Sequence, residues 1–235
     1  MVKFNIFVVH YSKLVERKQN IKKIFDTNNL DIEFIESFNQ EELNNEILNE
    51  YYNQDRNDYL KRSVLWGENA IEFYELNKAE ISCTLKHIEA IKKASLSPVK
   101  YSLILEDDSI PYNKTFYSEI EDIIKRNKDW DVLFIGNGLG DNYIKSKLNF
   151  AQKFSQKFFR SKFFNVKHPA SNCAEAYIID KDAAKKIYNS IVPFSMVSDW
   201  ELAYQFYLND LNINWFLPSI FYQGSRSGDY KSTLR

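Results

Sequence analysis

The chain has 235 residues, 44% of them hydrophobic and 27% charged, with a formal net charge of -1. That length carries one sizeable domain with its own core, and the near-neutral balance means that bulk charge points to neither nucleic acid nor membrane. Two cysteines, Cys83 and Cys173, lie far apart and outside any CxxC pair, which argues against a zinc site or a disulfide framework and reads as two free, buried thiols in a reducing compartment.

Met1-Val2-Lys3 leads into an apolar run too short for a signal peptide or a membrane span. The expected location is therefore the cytoplasm, and the Asn113-Lys114-Thr115 sequon is incidental. Phe4 to Val9 reads as a buried strand that ends in His10-Tyr11-Ser12. A helix from about Leu14 to Phe25 follows, with Ser12 as its expected N-cap. Ile32 to Phe38 alternates as a second strand, so the chain opens on a strand-helix-strand unit and a mostly parallel sheet is expected.

Residues 31–80 are acidic and Asn-rich and read as a helical or irregular excursion. A helix from Lys78 through Ala94 carries the stripe Ile81, Leu85, Ile88, Ile91. After the strand at 101–108 come a helix at Phe116 to Lys125 and a strand at Asp131 to Gly136, then a Gly136-Asn137-Gly138-Leu139-Gly140 loop, a weak phosphate-loop signal that reads rather as an ordinary turn. Between Asp141 and Glu175 there is no acid, and Lys residues alternate with six Phe from Phe150 to Phe164. Such a segment suits contact with an anionic membrane surface or acceptor. The default reading is a helix or hairpin that docks its Phe on the core and leaves its Lys wet. A strand at Ala176 to Ile179, a helix capped by Asp180, a helix opened by Asp199-Trp200-Glu201 and a strand at Ile213 to Leu217 complete the fold.

The chemistry concentrates in Tyr101-Ser102-Leu103-Ile104-Leu105-Glu106-Asp107-Asp108, an apolar run that ends in three carboxylates. Adjacent like charges at a half-buried strand end are costly. A divalent cation removes the cost, and hard oxygen ligands suit Mg2+ or Mn2+ with a phosphate-bearing substrate; a solvated acidic turn is the plainer alternative. Alternation along the strand sends Glu106 and Asp108 one way and Asp107 the other. Ligands of open α/β sheets bind beyond the carboxyl ends of the strands, so a nucleotide could lie over Val9-His10-Tyr11 with its diphosphate near the acids. Neither GxGxxG after the first strand nor GxxxxGK[ST] is present, which disfavours dinucleotide binding and P-loop hydrolysis.

Three blocks carry a family resemblance. Ile6-Phe7-Val8-Val9-His10 is followed by Arg17; Ala79-Glu80-Ile81-Ser82-Cys83-Thr84-Leu85-Lys86-His87 is close to the pattern E-I-G-C-x-L-S-H; and Leu103-Ile104-Leu105-Glu106-Asp107-Asp108 is a hydrophobic-L-E-D-D block. In this order they resemble the family 25 glycosyltransferases, the lipooligosaccharide-type galactosyltransferases of bacterial surface glycans. Ser82 stands where the pattern has Gly, and Lys86 where it has Ser.

The resemblance implies a GT-A fold, a Rossmann-like mixed, mostly parallel central sheet flanked by helices. Residues 1–235 are then one domain, with 1–140 the nucleotide-sugar-binding half and 141–235 the acceptor-side half. It also implies a UDP-sugar donor, most often UDP-galactose, a divalent metal (Mn2+ or Mg2+), inversion at the anomeric carbon, and a glycan or lipid-linked acceptor, with a peripheral membrane contact compatible with it. Asp108 is the first candidate metal ligand and Glu106 the second, while Asp107 faces the ribose or orients the loop. Val9, His10, Tyr11, Arg17, Glu80, Ser82 and His87 are the donor-side candidates. Direct inversion needs a general base, for which Asp199 and Glu201 are the candidates beside Trp200. Cys83 is expected in the core. With no His after His168, Gln223, Ser225, Asp229 or water would complete the metal shell. A nucleotidyltransferase and a non-catalytic nucleotide- or glycan-binding domain are the alternatives.

Overall fold

The computed structural model describes residues 3–27, 30–67, 71–126, 129–159, 162–170 and 172–232. In chain order the first half holds β1 (Asn5–Val9), α1 (Val15–Asp26), β2 (Glu33–Ile35), α2 (Asn45–Tyr51), α3 (Arg56–Ser63), α4 (Lys78–Leu96), β3 (Tyr101–Glu106) and β4 (Ser109–Pro111). Then follow α5 (Phe116–Lys125), β5 (Val132–Phe134), α6 (Asp141–Lys147), α7 (Phe150–Phe159), β6 (Phe163–Asn165), β7 (Ala176–Asp180), α8 (Lys181–Tyr188), α9 (Ser198–Leu208), β8 (Ile213–Phe216), β9 (Phe221–Gln223) and α10 (Gly224–Ser227).

Seven strands form the central sheet in the order β2-β1-β3-β7-β5-β8-β6. β2, β1 and β3 are mutually parallel, as are β5 and β8, whereas β7 and β6 run against their neighbours. The sheet is thus mixed, with most strands pointing one way. Both faces are covered, which is why its strands read as continuous apolar runs. Ile6, Val8, Leu103 and Leu105 pack on one face with Ile21 and Phe25 of α1 and Phe116, Ile120 and Ile123 of α5. Phe7, Val9 and Ile104 pack on the other with Leu85 and Ile88 of α4, Ile187 of α8 and Phe206 of α9. Leu85 is 1% exposed, so truncation to Ala costs about 2–5 kcal/mol.

Several expectations shift. α1 begins at Val15, with Leu14 at its N-cap and no side-chain cap; Ser12 instead donates its backbone N–H to Asn39 Oδ1 at 3.3 Å. The second strand is only Glu33–Ile35. α4 has a full capping box, in which Asn77 accepts from the Ala79 and Glu80 N–H groups and Glu80 Oε2 accepts from Asn77 N at 3.0 Å. β4 and β9 form a separate antiparallel pair with Ser109 opposite Gln223. That short pairing returns the C-terminal region to the acidic triplet.

Candidate active site

Register places the site. Val9 of β1 is the Cα partner of Glu106 of β3 in a parallel pair. His10-Tyr11 and Asp107-Asp108 therefore leave the sheet side by side at its carboxyl edge, the position where open α/β sheets take ligands.

The three acids divide as strand alternation requires. Asp107 turns toward α1, where its Oδ1 accepts from Arg17 Nη1 at 2.7 Å and its Oδ2 bonds His10 Nδ1 at 2.8 Å and accepts from Tyr11 N at 3.3 Å. Glu106 and Asp108 face the other way. Glu106 Oε1 lies 3.3 Å from His87 Nε2, and its Oε2 accepts from Gln223 Nε2 at 3.4 Å. Asp108 Oδ2 accepts from Ser225 N at 3.2 Å, while its buried Oδ1 has no hydrogen-bond partner among the described residues.

Burial, and after it mutual charge, raises the acids around this point. Burial first, and then the charge of Glu106, push Asp108 up from 3.8 to about 6. Asp199 also rises from 3.8 to about 6, through burial and again Glu106. Glu175, unflagged by the sequence reading, rises from 4.5 to about 8, mainly through burial. Its carboxylate accepts the Gly138 N–H, and its second oxygen has no partner among the described residues. Gly138 has φ +48°, and a Cβ there would meet the Asn172 carbonyl. The glycine loop thus cradles a carboxyl of the protein itself. The only sequence signal for Glu175 is an acid set immediately before the apolar run of β7.

Two adjoining hollows flank the acids. One, of about 110 Å3, is lined by Val9, Tyr11, Arg17, Ser82 and Lys86. The other, of about 840 Å3, is lined by Asp199, Trp200, Glu80, Cys173 and Arg226. Cys83, Glu106, Gln223 and Ser232 line both. The larger falls in the range of small-molecule sites. Its wall includes Trp200, whose ring centroid lies 6.0 Å from that of Trp66. The C-terminal segment crosses the smaller hollow: Arg17 Nη2 donates to the Lys231 carbonyl at 2.5 Å, and Asn20 Nδ2 to Tyr230 Oη at 2.9 Å.

Glycosyltransferase family 25 (LPS biosynthesis protein) matches residues 4–201. The chain belongs to that family. Among solved structures it is similar to S. aureus TarS 1–349, with 16% identity, a TM-score of 0.50, and 98% of this chain matched to 63% of that one. A longer S. aureus TarS structure gives 14% identity and a TM-score of 0.50, covering 94% of this chain and 36% of that one. TarS in complex with UDP-GlcNAc gives 14% identity and a TM-score of 0.46, covering 94% and 58%. At these identities the first two likenesses show the fold alone. No curated protein matches the sequence.

Within this glycosyltransferase the expected site residues separate into groups. Val9, Tyr11, Arg17, Ser82, Glu106, Asp107 and Asp108 line the smaller hollow. His10 is 0% exposed and reaches the site only through Asp107. His87 is likewise buried, between Tyr177 Oη at 3.2 Å and Glu106. Glu80 borders the larger cleft, but its carboxylate closes the α4 cap. Ser82 Oγ donates to the Phe38 carbonyl at 2.6 Å.

Glu201 does not fit the role of a base. It is 0% exposed, with Arg62 Nη1 at 2.5 Å and the Ser195 N–H at 3.1 Å on its two oxygens. Two positions earlier, Asp199 lines the larger cleft. Cys83 is half-buried: it packs against the core, as expected of it, and also borders both hollows. Its sulfur, His87 and Glu106 offer ligand atoms within 4.8 Å of one another. Asp229 is bonded to Ser227 Oγ at 2.5 Å and exposed, while Gln223 and Ser225 touch the acids. Lys86, at the position that departs from the family pattern, is buried with its amine on the Ser37 carbonyl at 2.6 Å, and burial lowers it to about 8.

Proposed function

We propose that this chain transfers a hexose from a UDP-sugar, with galactose as the first candidate, onto a glycan acceptor of surface lipopolysaccharide or a related polymer, with inversion. The observation that carries the reading is the crowding of Glu106 and Asp108 at the carboxyl edge of β1 and β3, with the buried Asp108 Oδ1 bare of partners among the described residues. An all-oxygen pair of this kind fits Mn2+ or Mg2+. Asp108 and Glu106 would hold the ion, with Gln223 and Ser225 beside them. Such an ion supplies positive charge against the diphosphate that leaves.

The remaining steps fall to the protein's own groups. Arg17, held by Asp107, presents a guanidinium at the edge of the smaller hollow and favours an anionic donor there. Val9 and Tyr11 border the same space, which suits the nucleoside. Trp200 offers a face to a sugar ring in the larger cleft. Asp199, raised to about 6, is ionised at neutral pH yet basic enough to take the acceptor hydroxyl proton. On this reading residues 1–140 bind the donor and 141–235 shape the acceptor side, in the cytoplasm where nucleotide sugars are available.

A UDP-release assay with a panel of nucleotide sugars and a lipopolysaccharide core acceptor tests the proposal. Release is expected with UDP-galactose above the other donors. Pyrophosphate release from a nucleoside triphosphate would mark a nucleotidyltransferase instead, and nucleotide binding without any release a non-catalytic domain.

A further inference from the structure

The helix α7 is built the wrong way round for a soluble surface. Phe150, Phe154 and Phe158 recur every fourth residue and so form one stripe. They are 86%, 47% and 60% exposed. Among the described side chains, those turned toward the protein are the polar Gln152, Ser155 and Gln156, each half-buried, and Gln152 Nε2 ties the helix to the Asn165 carbonyl at 2.7 Å. α5 does the reverse, with Phe116, Ile120, Ile123 and Ile124 buried.

Charge says what covers the stripe. Lys153 and Lys157 lie beside it on the helix, and Lys145, Lys147, Lys162 and Lys167 of the flanking sequence are exposed, in a stretch with no acid from 142 to 174. A second copy meeting this face through a twofold axis would bring lysines against lysines. Ten residues lie far short of a membrane span, and no helix among the described residues is long and apolar enough to cross a membrane. We propose that α7 lies on an anionic lipid bilayer, its Phe stripe in the acyl boundary and its lysines among the headgroups. The family reading supplies a reason, since a lipid-linked acceptor would then be met at its own surface; the inference rests on α7 itself and not on the donor.

Co-sedimentation of the full chain with phosphatidylethanolamine/phosphatidylglycerol vesicles tests it against phosphatidylcholine vesicles. Binding to the anionic vesicles is expected, weakening as salt rises. The triple change Phe150→Ser, Phe154→Ser, Phe158→Ser should reduce partition at least about tenfold with an unchanged melting temperature, because no side chain of the stripe is buried. The pair Lys153→Glu, Lys157→Glu should reduce it without touching the apolar stripe. No binding, equal binding to both lipids, or binding indifferent to both variants would overturn the proposal. So would a dimer in sedimentation velocity that the Phe changes abolish. UDP binding measured on the same variants stays unchanged, which separates failure here from failure of the donor assignment.

Discussion

Arg17 Nη1 and Asp107 Oδ1 meet at 2.7 Å, although 90 positions separate them in the chain. Side-chain exposures of 9% and 7% make this a buried pair. It holds the middle acid of the triplet against α1, while Glu106 and Asp108 meet Gln223 and Ser225 of the C-terminal region. Removing one partner strands the other charge in the interior. Arg17→Ala should therefore destabilise the fold by about 3–5 kcal/mol, read by urea denaturation, and weaken donor binding as well. Asp107→Asn, which keeps the shape, should cost less.

Asp108 behaves in the opposite way. Its charge is disfavoured by burial and by Glu106, so Asp108→Asn should raise the melting temperature of the ion-free protein while abolishing any stabilisation by Mn2+. A differential scan with and without the ion reads both effects. A variant that melts lower without the ion would contradict the assignment of strain to this residue.

Glu175 should give the fold a pH dependence of its own. The folded protein holds this proton up to about pH 8, whereas an unfolded chain releases it near 4.5. Between those values the folded state binds more protons, so stability falls as pH rises through the window. Glu175→Gln should flatten that decline, measured as unfolding free energy at a series of pH values, with Gly138 still donating to the new side-chain carbonyl.

Asp199 and Glu201 are neighbours with opposite expectations. Asp199→Asn should lower the transfer rate at least about a hundredfold, the scale of general-base removal, with donor affinity intact. The wild-type rate should rise with pH through about 6 as Asp199 ionises. Glu201→Ala should instead unfold the protein readily, because Arg62 loses its buried partner. A stable Glu201 variant with a specific loss of rate would reverse the two roles.

The parts of this molecule legible in its sequence are those set by local patterning. Phe4 to Val9 and Tyr101 to Glu106 are apolar because both sheet faces are covered, and α5 falls on Phe116–Lys125 as its periodicity indicates. The acidic triplet also divided as alternation along a strand requires. Long-range pairing was not legible. β4 and β9 are three residues each, too short to carry a pattern, yet they bring Gln223 and Ser225 to the acids. Glu175 has no motif because its partner is a backbone N–H of a distant loop. Glu201 carried a functional look that only the position of Arg62, 139 residues earlier, could dispel. For the Phe of 143–168 the sequence leaves core docking as the default and an anionic surface as the alternative, because helical spacing shows that a face exists without showing which way it turns; Phe150, Phe154 and Phe158 turn outward.

The central claim is a nucleotide-sugar site organised on Glu106 and Asp108. Isothermal titration of UDP into the wild-type chain, with and without Mn2+, and into Asp108→Asn tests it most directly. The account predicts binding that Mn2+ strengthens at least about tenfold in the wild type, a difference of 1.4 kcal/mol, and no such gain in Asp108→Asn. An absence of UDP binding with any divalent ion present, or the same gain in the variant, would contradict it.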